Sequence, residues 1–174
     1  LYLKWKKPSQ SNAGSYSFDE EEIWNVSPSG SSGSSNISTD IVLNQLPEGD
    51  YSGCSLVVKD SAGNTSTPLS IAPFTIDLTQ PNGFSYLESI NTSANQASLN
   101  LSATDANGIN GYCISTNSMS PTTSSGCWNN VNSTESFVKN STAFSYGSAD
   151  ALYVWYKDEA TNISLVDSID LSNC

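Results

Sequence analysis

The residues with most chemistry in this 174-residue chain are its acids and its cysteines. Seventeen Asp and Glu face six Lys, with neither Arg nor His. Without His, no Ser–His or Cys–His catalytic pair can form, and a His-ligated zinc is excluded. Glycoside hydrolysis needs two carboxyls facing each other at a set separation, and no spacing here marks out such a pair. A glycine-rich phosphate loop is also missing. The net charge of −11 argues against nucleic acid or an anionic membrane surface as partners.

The cysteines read as structural. Cys113 and Cys127 bracket a Ser/Thr/Pro loop and are expected to form a disulfide, which on loop-closure entropy is worth ~3 kcal/mol. The alternative is a redox pair, for which the C-x-x-C spacing is missing. Four cysteines allow three connectivities, and they fit an oxidising compartment. Two aromatic residues, Trp24 and Trp128, stand near Ser-rich loops and are candidate sugar contacts. Tyr153 and Trp155 alternate along one strand and are expected to pack between sheets. The densest charge run, Asp19-Glu20-Glu21-Glu22, reads as a solvated face, because a cation needs converging oxygens rather than a linear string.

The elements that must position these residues are strands. Ser (34), Asn (18) and Thr (13) make up more than a third of the chain and favour strands, turns and caps over helix interiors. Apolar runs are short and rich in Val, Ile, Leu, Tyr and Phe, as in Asp40–Leu46, Ser55–Lys59, Ala97–Ala103, Tyr112–Ser115 and Leu152–Lys157. Ser/Asn/Gly/Pro clusters separate them, and Asn25–Ser38 is a low-complexity loop. A repeat appears at an offset of 98: Leu1 and Leu3 fall on Leu99 and Leu101, Gly49 falls on Gly147, and Val58–Ser66 falls on Tyr156–Ser164. That period matches one sandwich domain of ~100 residues. Two copies are therefore expected, residues 1–73 and 74–174, with their boundary near Ala72–Asp77.

Five stretches carry a family resemblance. Lys59–Ser66 (KDSAGNTS) and, less closely, Lys157–Ser164 (KDEATNIS) resemble the turn between the last two strands of bacterial immunoglobulin-like and fibronectin-III-like surface repeats. Leu46–Tyr51 is similar to the corner before the penultimate strand of such domains, and Asp105–Tyr112 with Leu152–Asp158 to their second half. The resemblance implies an all-β chain of two tandem immunoglobulin-like β-sandwiches, the first lacking its first strand. Thr161 stands where the first copy has Gly63, so the second turn is expected to differ if that position needs positive φ. In a rod of two domains Cys54 and Cys174 fall too far apart to bond. Turn acids, by contrast, crowd the seam. Asp50, Asp77, Asp105 and Asp158 are the candidate ligands of a bridging calcium ion; otherwise they are water-exposed turn carboxylates.

The expected function is non-enzymatic: a structural or adhesive segment of an extracellular or cell-surface protein, bacterial by resemblance, that spaces or presents a binding tip. The alternatives are a carbohydrate-binding accessory module using Trp24 or Trp128, and a fibre subunit that accepts a partner's strand. Expected partners are a cell-surface protein or glycan, neighbouring repeats, or a second copy of the chain. No membrane insertion is expected, since no apolar run approaches the ~20 residues that span a bilayer. The chain opens on a strand-like segment rather than a signal peptide and reads as a fragment. Eight N-x-S/T sequons are near chance for this composition.

Overall fold

The computed structural model describes residues 2–3, 24–25, 48–56 and 64–172. The Asp19–Glu22 run, most of the low-complexity loop, the Lys59–Gly63 turn, Cys174 and the side chain of Trp24 lie outside the described residues. All described elements are strands, so the all-β expectation holds. By its contacts the chain divides into two compact units, Leu1–Ile76 and Asp77–Cys174.

In the first unit the described strands form three antiparallel pairs. They are β1 (Tyr2–Leu3) with β2 (Trp24–Asn25), β3 (Gly49–Tyr51) with β6 (Phe74–Ile76), and β4 (Ser55–Leu56) with β5 (Leu69–Ser70). Tyr51 and Cys54 are buried here, with Ile71, Phe74 and Ile76 packed on them. The Tyr51 ring stacks on Phe74 at 5.1 Å. Cys54 is in no disulfide.

The second unit is one curled five-stranded antiparallel sheet. Its spine is β8 (Gln96–Ser115), flanked by β7 (Asn82–Asn91), β9 (Trp128–Ser145), β10 (Ala151–Asp158) and β11 (Asp167–Asp170). Strand β9 follows β8 from Gln96 to Cys113. On the opposite edge β7 pairs with β8 as far as Thr104, and β10 takes over from Ile109. Strand β11 then pairs with β10. The segments Ala97–Ala103 and Tyr112–Ser115, expected as separate strands, are thus one element. The intervening Asp105-Ala106-Asn107-Gly108 signals a turn, but it is accommodated as register shifts in the pairing with β9, where the sheet bends.

Period-two alternation places the core. Ala97, Leu99, Leu101 and Ala103 of β8 are buried, and Leu152, Val154 and Tyr156 of β10 join them. Trp155, on the other face of β10, is buried as well and stands opposite the buried Cys113 of β8. The Tyr156 ring lies against Gly83 of β7, where any Cβ would collide with it. Its hydroxyl donates to the Phe84 carbonyl (3.3 Å), accepts from the Ser102 N–H (3.2 Å) and lies 2.7 Å from Ser85 Oγ. Burial pushes this phenol up to about 12, with the Ser85 and Ser102 bonds pulling the other way. The Ser85 N–H donates to the Asp167 carboxylate, tying β7 to β11. At the far end of β8, Cys113 and Cys127 form the disulfide, their Cα atoms 5.1 Å apart.

Candidate functional site

The bend in β8 brings three chain segments together. Thr104 is the last β8 residue paired with β7, and Ile109 is the first paired with β10, opposite Asp158. Asp105 occupies the changeover between them. Asp77 lies five residues before the start of β7, and Asp158 ends β10. One oxygen from each of these carboxylates lies within 4.8 Å of the others, and all three residues are buried.

Local turn chemistry aims each acid. The Thr79 N–H donates to Asp77 Oδ1 (3.0 Å), and the Asn107 N–H donates to Asp105 Oδ1 (2.8 Å). Both are Asx-turns, in which a carboxylate takes the backbone donor two residues on. Asp158 is held more completely. Its Oδ1 accepts from the Asn162 N–H and its Oδ2 from Asn162 Nδ2, both at 2.8 Å. The same Nδ2 donates to the Asp77 carbonyl at 3.1 Å, linking two of the three segments. The turn is closed by Thr161 N–H to the Asp158 carbonyl. Thr161 has φ +74°, in the left-handed region that favours glycine.

Asp158 has no exposed surface. Desolvation pushes its carboxyl above the ordinary value, the Asn162 bonds pull it down, and the charges on Asp77 and Asp105 raise it further. Asp77 Oδ2 is sealed from solvent and has no hydrogen-bond partner. Asp105 also borders an open groove of about 370 Å³ lined by Thr79, Asn82, Thr104 and Glu135. These are hard oxygen donors without a nitrogen or sulfur ligand beside them. Asp158 is closed to acid–base work on a substrate, since both its oxygens are engaged and none of its surface is exposed.

The other expected site residues are placed elsewhere. Asp50 is an exposed residue of the first unit, where Thr75 Oγ1 donates to its Oδ1 at 2.6 Å. Trp128 is half-buried. Its Nε1–H donates to the Thr122 carbonyl at 2.8 Å, and Lys157 Nζ stands 5.0 Å from its ring centroid. An exposed aromatic pair that the sequence reading missed lies on the outward side of β7. Phe84 and Tyr86 are 62% and 51% exposed, their ring centroids 5.9 Å apart. The i, i+2 spacing is the signal that would have found it.

No family model matches this chain, and neither a curated protein nor a solved structure is detectably similar to it.

Proposed function

We propose that this chain is a non-enzymatic structural or adhesive segment of an extracellular or cell-surface protein, two tandem immunoglobulin-like units of an adhesin-type array. In that reading its work is geometric: β modules hold a binding tip at a distance or form part of a fibre. The observation that carries it is the Cys113–Cys127 disulfide set into an all-β unit, because disulfides form and persist where thiols are oxidised. The test is made in the native cell. Surface proteolysis with thiol trapping should find the chain outside the cell with Cys113 and Cys127 joined. A cytoplasmic chain with both thiols free would overturn the reading.

A second reading, a carbohydrate-binding module, is favoured by Phe84 and Tyr86. Exposed rings stack on sugar faces, and Asn100 and Ser102 stand opposite them on β8 to supply hydrogen bonds. Glycan-array retention that is lost in Phe84→Ala/Tyr86→Ala would support it. Equal retention of the double variant would remove these residues from it.

A further inference from the structure

We propose that Asp77, Asp105 and Asp158 together bind one divalent cation of the calcium class. The first support is distance. Calcium holds its oxygens at ~2.3–2.6 Å, so ligands on opposite sides of one ion lie ~4.6–5.2 Å apart. Donor oxygens confined within 4.8 Å of one another therefore fit around a single ion.

The second support is an atom left without a partner. Asp77 is 7% exposed, and its Oδ2 accepts no hydrogen bond although Oδ1 takes the Thr79 N–H. Buried carboxylate oxygens are otherwise paired with donors or with metals. Two further buried side-chain atoms lack partners, Asn110 Oδ1 and Thr142 Oγ1, but both are neutral. Among these atoms of the described residues Asp77 Oδ2 alone belongs to a charged group, and its carboxylate clusters with two more.

The third support is the lack of a counter-charge among the described residues. Asp77–Cys174 holds nine acids and two lysines. Lys139 Nζ donates to the Tyr112 hydroxyl at 2.9 Å, and Lys157 lies over Trp128. Neither makes an ion pair with the three acids, which repel one another in a poorly solvated place. The backbone donors that fix Asp77 and Asp105 occupy one oxygen of each and leave the other available. Six to eight ligands are usual for calcium, so water completes the shell, and the groove beside Asp105 gives it entry. All three ligands belong to the second unit, so the site does not require Asp50.

The test uses the full chain with its disulfide oxidised, stripped by chelator. Titration with calcium chloride, followed by calorimetry, should give one-to-one binding. The melting temperature should rise by several degrees at saturating calcium and by clearly less with magnesium, which demands shorter bonds and a stricter octahedron. Asp77→Asn keeps the Thr79 bond and turns the orphan oxygen into a donor. It should melt higher than wild type in chelator and show none of the calcium-dependent rise. Asp105→Asn, at the least buried of the three, should weaken binding at least tenfold and serves if Asp77→Asn does not fold. Absence of heat and of any thermal shift at millimolar calcium would overturn the proposal, as would both variants keeping the full shift. An equal shift with magnesium would overturn the calcium assignment. Each readout is binding itself, so the outcome stands apart from whether the chain is adhesive.

Discussion

The second unit buries two polar networks in different ways. Around the Tyr156 hydroxyl every group is matched: the Ser102 N–H of β8 donates to it, the Phe84 carbonyl of β7 accepts from it, and it shares a hydrogen bond with the Ser85 hydroxyl of β7. Around Asp77, Asp105 and Asp158 the bonds come from turn backbone and one amide, and one oxygen sealed from solvent, Asp77 Oδ2, is left without a partner. The first network is complete as it stands and cross-braces two strands beneath a third. The second is held in shape by neutral donors, and its carboxylates face one another. A matched buried network rigidifies a fold, whereas a partly matched one carries the cost of an unpaired buried group.

The largest expected effect tests the scaffold that both networks share. Replacing Cys113 and Cys127 together by Ser should cost about 3 kcal/mol through the 14-residue separation they close, seen as a lower denaturant midpoint. Cation binding should survive in the folded fraction, because the disulfide joins the end of β8 to the turn before β9, away from the three acids.

Tyr156→Phe should cost about 2 kcal/mol by leaving the half-buried Ser102 N–H and the buried Ser85 hydroxyl without the phenol oxygen. The same variant carries a pH test. The phenol is raised from 10.0 to about 12, so the folded chain holds its proton more tightly than the unfolded chain. That contribution is fully present below about pH 10 and is lost as pH climbs through about 12. Thermal melts across this window should fall more steeply for wild type than for Tyr156→Phe, and parallel slopes would break the assignment.

Asp77→Asn probes the acid network and should act with the opposite sign. In chelator it removes one of three facing charges and should gain about 1 kcal/mol, measured by urea unfolding. A loss of stability there would mean that the two networks do not differ in kind. The smallest effect is Thr161→Gly. Relief of the left-handed Thr, offset by the extra freedom of Gly when unfolded, should leave a gain of about 0.5 kcal/mol. The Asn162 bonds to Asp158 should remain, so calcium affinity should change little.

Alternation and turn composition made the strands legible. Ala97–Ala103 and Leu152–Lys157 lie within β8 and β10, where their alternating small and large apolar residues face the core. The cysteine pair was legible because a short loop joins its members. The continuity of β8 was not. Asp105-Ala106-Asn107-Gly108 has the composition of a turn, and it bulges within β8 because β9 pairs on both sides of it, at Thr104 and again at Ile109. The role of Tyr156 was equally hidden, since nothing local distinguishes a tyrosine whose hydroxyl meets residues 54 to 72 positions away.

What the sequence determined by itself is what short-range physics controls: strand periodicity, turns that demand Asp or Asn, a disulfide across a short loop, a surplus of negative charge. What only the tertiary structure decided is which distant residues share a space. Of four expected cation ligands, Asp77, Asp105 and Asp158 converge because the bend of β8 joins the entry to β7 and the exit of β10, while Asp50 lies in the other unit. The reason is physical. A turn is specified by two or three neighbouring residues, whereas the meeting of three turns is fixed by the register of strands packed over a common core, a quantity no single stretch of chain contains.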